Sequence, residues 1–313
     1  MKSKLYAIAR DESAYLPEWV NYHFELGFDE IEIYLNNTTD NSMKILNELK
    51  KEYKNLKFKT VELNEMLNDE IKYSSKYFLN SLPLQGHSYN RMLLNHDENI
   101  DWVCFLDIDE FLYFPELNNV SEFIKNENKV KLSIDYLFVK GENKPFLHLS
   151  EIQITKKVNS YGKLIFKLSD DILLDDSHIF SDVNRLSLIH PKQKAFIIHR
   201  NFRSIEEYEV MALRGDCYNN YPFKRNRNGW SKNKNLFINH DFSKFKKSFD
   251  LMLKNNEILK KELNYSRENL LNQREKALNH LQKLYNENKQ YQKEISIFIE
   301  NTSFHDKIKP KLT

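Results

Sequence analysis

Two carboxylates stand two residues apart at Asp107 and Asp109, directly after the apolar run Trp102-Val103-Cys104-Phe105-Leu106. The bare spacing carries little, because 18 aspartates among 313 residues give about one such match by chance. The position carries more. Two like charges at the end of a buried strand repel each other, and a cation is the usual way to offset that repulsion. Mg²⁺ or Mn²⁺ does so while taking one or two carboxylates together with substrate phosphate oxygens. A second reading stays open on the pattern alone: a solvated turn at a strand end, with Glu110 as a surface charge.

Ten histidines include no metalloprotease-type pair, but His178, His190, His199 and His240 fall near strand ends in the C-terminal half. An imidazole can complete a metal site begun by Asp109 without adding charge. His199 closes the apolar stretch 195–198 and is the preferred partner. Asp170-Asp171 and Asp175-Asp176 flank three apolar residues; they read either as loop solvation or as the source of a general base. Residues 218–235 form a basic and aromatic loop containing Lys224, Arg225, Arg227, Trp230, Lys232 and Lys234. It suits a solvated lid, or contact with a diphosphate, a sugar or an anionic lipid.

The elements that must position these groups follow from periodicity. A short buried strand at 5–9 leads to a helix capped by Ser13, with Leu16, Trp19, Val20, His23, Phe24 and Leu26 on one face and Pro17 in its first turn. Gly27 ends that helix, and residues 31–35 alternate as a strand. The polar turn 36–40 opens a helix on Met43, Ile45, Leu46 and Leu49, and a strand at 56–63, a helix at 84–96 and a strand at 102–106 follow. This alternation predicts an α/β, mostly parallel, Rossmann-like sheet with flanking helices and ligands at the strands' carboxyl ends. The clusters 10–12, 36–40 and 107–110 all fall at such ends. Between 130 and 198 short strands at 131–139, 152–158, 163–168 and 195–198 predict an antiparallel subsheet. After Phe245 neither Gly nor Pro occurs until Pro310. Apolar residues seven apart from Leu263 to Phe298 support a long coiled coil only weakly, and amphipathic helices packed on the body or on a partner fit better. The expected division is therefore a domain over 1–245 and a helical region over 246–313.

Composition narrows the function. A net charge of +2, from 47 basic and 45 acidic residues, argues against a nucleic-acid partner. Six glycines, none in a G-x-G, exclude the dinucleotide fingerprint and the P-loop, so phosphates need another holder. Two cysteines exclude a disulfide framework, and Cys104 reads as a buried thiol. The opening apolar stretch is too short for a secretory signal and no run spans a membrane, so a cytoplasmic protein is expected.

Three blocks together resemble glycosyltransferase family 92 and its bacterial family-2-like relatives of the GT-A fold. ARDESAYLPEWVNYHFELGFDEIEIYLNNTTDNS is similar to that family's K-N-E…Y-L-x-E-W-x-x-Y-H…Y-x-N-x-S-x-D opening. Gln85 and Tyr89 followed by DWVCFLDIDEFL are similar to its Q…Y and D-W-[IV]-x-F-x-D-I-D-E-F. HRNFRSIEEY with Arg214-Gly215 is similar to its H-Y-x-x-x-S-x-E-E-[FY]…R-G, and Lys163 with His178 looks like its K-x-I…H stretch. Arg10-Asp11 replaces the usual Lys-Asn, and Arg200 stands where a tyrosine is usual.

The resemblance implies a metal-dependent transfer, with inversion, of a sugar from a nucleotide-diphosphate donor (UDP-linked) to a hydroxyl of a glycan or lipid-linked glycan, in surface polysaccharide or glycolipid synthesis. It implies donor contacts from Arg10, Asn37, Asp40, Gln85 and Asp107, and Mn²⁺ or Mg²⁺ held by Asp107, Asp109 and His199. Asp176 with His178 is the candidate base. The basic loop predicts peripheral contact with the inner face of a membrane, and the C-terminal helices offer a route to a homo-oligomer. A competing reading makes the α/β body a scaffold for an interaction protein acting through those helices. A phosphatase reading is weaker, because that chemistry wants its D-x-D after the first strand.

Overall fold

Strand β1 (Ser3–Ala9) is buried along nearly its whole length, as expected of a strand covered on both faces. A computed structural model describes residues 1–62, 84–125, 131–139, 141–168, 174–176, 179–180, 195–214, 222–224, 229–230, 237–238 and 240–308. The further strands are β2 (Glu30–Asn36), β3 (Leu56–Val61), β4 (Trp102–Phe105), β5 (Glu110–Tyr113), β6 (Lys131–Val139), β7 (Ile154–Lys167), β8 (Leu174–Asp176), β9 (Ile179–Phe180), β10 (Phe196–His199) and β11 (Phe237–Ile238). The helices are α1 (Leu16–Glu25), α2 (Ser42–Glu52), α3 (Leu84–Leu94), α4 (Val120–Lys125), α5 (Ile205–Val210), α6 (Ser243–Asn255), α7 (Glu257–Asn272), α8 (Arg274–Glu287), α9 (Gln292–Phe298) and α10 (His305–Ile308).

One sheet runs β3-β2-β1-β4-β7-β6-β10-β5, with β11 beside β7. Its first four strands are parallel, as the strand–helix alternation predicts. Beyond β4 the sheet is mixed: β7 is antiparallel to both β4 and β6, while β10 is parallel to β6 and antiparallel to β5. The two strands expected at 152–158 and 163–168 are one long strand, β7. It keeps its pairing with β6 through register shifts between Ile134 and Tyr136 and between Leu137 and Val139.

Helix α1 fastens the parallel half to β5. Its Trp19 indole Nε1 donates to the Glu110 carbonyl at 2.9 Å and the Tyr22 hydroxyl to the Leu112 carbonyl at 2.7 Å. His23 is fully buried on the same face; its Nε2 accepts from the Leu112 N–H at 3.3 Å while Nδ1 faces the Trp19 carbonyl at 2.9 Å.

The C-terminal helices share this core. Phe249, Met252, Leu259 and Leu263 from α6 and α7 pack in the same apolar cluster as Leu16, Trp19 and Ile45. Helix α6 begins at Ser243, so a division at 245/246 falls within it. Helices α8, α9 and α10 build a second core with α5 and the turn that follows it, through Tyr208, Met211, Ala277, Leu281, Ile295, Phe298 and Ile308. The seven-residue spacing does not produce one long helix, because the chain is interrupted at Asn256, Gln273 and Asn288. Among the described residues no helix is long and apolar enough to cross a membrane.

Candidate active site

The D-x-D fills the turn between β4 and β5, and that turn is closed twice. The Glu110 N–H donates to the Asp107 carbonyl at 3.0 Å, and the Asp107 N–H donates back to Glu110 Oε2 at 2.9 Å. Glu110 is therefore no surface charge: it is 1% exposed and its Oε1 accepts from the Tyr136 hydroxyl at 2.7 Å. Burial pushes its carboxyl up to about 7, with the charge of Lys163 acting in the opposite sense.

Asp107 is held from both sides. Gln85 Nε2 donates to its Oδ1, and the Tyr89 hydroxyl reaches the same oxygen at 3.4 Å. Gln85 and Tyr89 lie one turn apart on α3, on one face, and bond each other at 3.0 Å. Lys163 Nζ, from β7, stands 3.0 Å from Oδ2. Burial and the Asp107 charge together keep the Tyr89 hydroxyl protonated far above the usual range.

Asp109 faces another way. Its Oδ2 lies 3.6 Å from His199 Nε2, and its carbonyl accepts from the Arg200 N–H at 2.8 Å. The pairing of β10 with β5, which sets His199 opposite Glu110, creates this juxtaposition. The imidazole packs in a triad with the rings of Tyr136 and Phe138, at 5.0 and 5.9 Å. Its Nδ1 is buried with no hydrogen-bond partner among the described residues. Arg200 is anchored below by Glu142, at 3.0–3.1 Å, and by Glu18 at 3.1 Å.

The loops after β1 and β2 lock onto each other. Asp11, in the left-handed region at φ 53°, accepts from the Thr39 N–H at 2.7 Å and the Asp40 N–H at 3.2 Å. Asp40 spends one oxygen on the Ser13 N–H at 2.8 Å and the other on the Ser42 N–H at 2.9 Å. Asn37 also adopts a left-handed conformation, at φ 46°, and Arg10 is half exposed at 51%. Glu12 pairs with Arg214 and, at 3.4 Å, with Arg203, whose guanidinium lies 3.4 Å above the Tyr15 ring.

Of the residues singled out in the sequence, Gln85 meets Asp107, and Asp109 meets His199, by direct contact. Arg10, Asn37 and Asp40 gather in the neighbouring loops at the carboxyl ends of β1 and β2. Asp176 ends β8 and pairs with Ile179; its side chain, and all of His178, lie outside the described residues, as do Arg225, Arg227, Lys232 and Lys234. Among the described residues no three His, Cys, Asp or Glu side chains gather as a ready metal cage. The Asp109–His199 pair nonetheless brings together one oxygen and one nitrogen of the kinds that suit Mn²⁺, with Nε2 as the ring atom facing Asp109, and donor oxygens can fill the remaining positions. The residues that periodicity missed are Glu110 as a buried group and the Glu12–Arg203–Arg214 cluster. Gly162 inside a strand was the available signal for the close packing around Lys163.

Comparison with known proteins agrees with the three sequence blocks. A glycosyltransferase family 92 protein of Oryza sativa subsp. japonica is 27% identical over 118 residues, 37% of this chain and 17% of that protein. One of Arabidopsis thaliana is 26% identical over 121 residues, 39% of this chain and 18% of that protein. The chain thus spans only a small part of the length of the plant proteins it matches. A mannosyltransferase from Pyrobaculum calidifontis, solved with GDP-Man and Mn²⁺, overlays with a TM-score of 0.29 at 16% identity, over 42% of this chain and 35% of that one. The model of glycosyltransferase family 92 matches residues 8–287, and the chain belongs to that family.

Proposed function

We propose that this glycosyltransferase moves a hexose, with inversion, from a UDP-linked donor to a hydroxyl of a glycan or lipid-linked glycan, and that it requires a divalent metal. The observation that carries the reading is the approach of Asp109 Oδ2 to His199 Nε2, 3.6 Å apart, beside the carboxyl ends of the parallel strands. Asp109 and His199 would hold the ion, and its positive charge would stabilise negative charge on the departing diphosphate. Asp107, fixed by Gln85, Tyr89 and Lys163, presents its remaining acceptor capacity to the nucleoside. Arg10, Asn37 and Asp40 border the same side. Asp176, with His178 next to it, takes the proton from the acceptor hydroxyl.

A scaffold acting through its C-terminal helices is less well supported, because α6 and α7 bury their apolar faces in the core of the α/β body. UDP release from a panel of UDP-sugars, with Mn²⁺ and with excess chelator, tests the enzymatic reading. Asp109→Asn keeps the side-chain volume but removes the charge that balances the ion. It should lose metal-stimulated release while melting no lower than the parent. Full activity of the variant, or of the parent in chelator, overturns the metal requirement.

A further inference from the structure

Lys163 is a lysine that the fold has gone to some length to bury. Its side chain is 1% exposed, with Nζ 3.0 Å from Asp107 Oδ2 and 3.7 Å from Glu110 Oε2. An ammonium in such a place is unfavourable unless it is paired. The backbone is adapted to bring it in. A Cβ on the preceding Gly162 would stand 1.3 Å from the Ile134 carbonyl oxygen, so β7 approaches β6 more closely there than any side chain permits. The register shift between Ile134 and Tyr136 follows at once. The two carboxylates of the D-x-D therefore live in different surroundings. Asp107 has an ammonium on one oxygen and two neutral donors on the other, whereas Asp109 faces an imidazole.

We propose that Lys163 is a resident counter-cation and positioning residue: it compensates Asp107 and Glu110 in the absence of any metal and fixes the Asp107 carboxylate in the D-x-D turn. This rests on the reading of the D-x-D turn as the donor site. The cation needs no donor to act, so the turn is assembled before substrate arrives.

The test is a comparison of melting temperatures in chelator and in Mn²⁺ for the parent, Lys163→Met, and the double variant Lys163→Met with Asp107→Asn. In chelator Lys163→Met should melt below the parent, because two carboxylates are left facing each other. Mn²⁺ should raise its melting temperature by more than it raises the parent's, the added ion taking over the missing charge. The double variant should recover part of the loss in chelator and lose the extra response to Mn²⁺. Should Lys163→Met fail to fold while the double variant folds, uncompensated charge is again the cause. Parental melting of Lys163→Met in chelator, equal Mn²⁺ responses, a double variant no more stable than the single one, or neither variant folding would each overturn the proposal. A failure of the transferase reading is separate: it is the absence of UDP release by the parent in Mn²⁺, and it leaves the comparison in chelator unchanged.

Discussion

The Arg200 backbone N–H donates to the Asp109 carbonyl at 2.8 Å, so the residue after His199 ties β10 to the D-x-D turn. Its side chain runs the other way, into a pocket where Glu142 and Glu18 share its charge. Both carboxylates and the guanidinium are almost completely buried. Arg200→Met would leave the carboxylates without their cation, and removing one partner of such a set costs about 3–5 kcal/mol. The urea midpoint should fall accordingly, and Arg200→Lys should recover only part of it, since an ammonium cannot reproduce the fork on Glu142. A parental midpoint for Arg200→Met would contradict this.

The same residue shows what sequence can and cannot convey. The parallel half of the sheet was legible because β1, β2, β3 and β4 alternate with helices whose apolar faces have a clear period, and His23 could be placed on the buried face of α1. The antiparallel half was legible only as separate short strands, since β7 bends and shifts register against β6 where local periodicity is lost. Asp109 and His199 could be paired in advance because each ends an apolar run. Glu110 could not be recognised as buried, because its partners, Tyr136 and Lys163, are 26 and 53 positions away in a chain whose pairing is not written locally. Arg200 looked like a departure at a position where an aromatic is usual. Its partners Glu18 and Glu142 come from two distant elements, and only the fold unites them.

Acid should destabilise the protein through His23. Its Nδ1 faces the Trp19 carbonyl and its Nε2 accepts from the Leu112 N–H, an arrangement that only the neutral ring satisfies. Burial pushes its pKa down to about 3, with the bond to the Trp19 carbonyl acting the other way. An unfolded histidine titrates near 6.5, so between these values the unfolded chain binds a proton that the native chain does not. Stability is fully present above about 6.5 and is lost as pH falls toward 3, at up to ~1.4 kcal/mol per pH unit from this group. Denaturation at pH 7 and pH 5 should differ less for His23→Gln than for the parent, by roughly 2 kcal/mol. Equal differences would exclude His23 as the source.

Glu209 governs how the last helices dock. It is fully buried, and its Oε2 receives Arg274 Nη2 at 2.6 Å and Nε at 3.0 Å, while Oε1 receives the Ser303 N–H at 2.8 Å and hydroxyl at 2.6 Å. One carboxylate thus joins α5 to α8 and to the turn before α10. Glu209→Ala removes the carboxylate that four donors share, leaving Arg274 Nη2 only its 3.3 Å contact with Ser303 Oγ, and a loss of about 2–3 kcal/mol is expected. Chymotrypsin should then cut among the C-terminal helices sooner than in the parent, with Glu209→Gln intermediate. Unchanged cleavage in Glu209→Ala would show that apolar packing alone holds those helices.

Gly162 should be the least replaceable glycine among those described. At Gly27, which ends α1 with φ 96°, an added Cβ meets Asn119 Cβ at 3.2 Å, so the neighbour must give by only a few tenths of an ångström; the left-handed backbone costs about 1–2 kcal/mol. At Gly162 the obstacle is the Ile134 carbonyl oxygen at 1.3 Å, and backbone cannot step aside without opening the β6–β7 pairing at Ile134 and Lys163. Overpacking of a core ordinarily costs about 1–3 kcal/mol, and a clash with main chain belongs at or above the upper end. Gly162→Ala should therefore lower the urea midpoint more than Gly27→Ala. It should also displace Lys163 from Asp107, raising the KM for the nucleotide donor, whereas Gly27→Ala leaves that KM unchanged because it lies at the opposite end of α1. A Gly162→Ala protein with parental stability and parental donor KM would mean that the close approach of β7 to β6 serves neither the sheet nor the site.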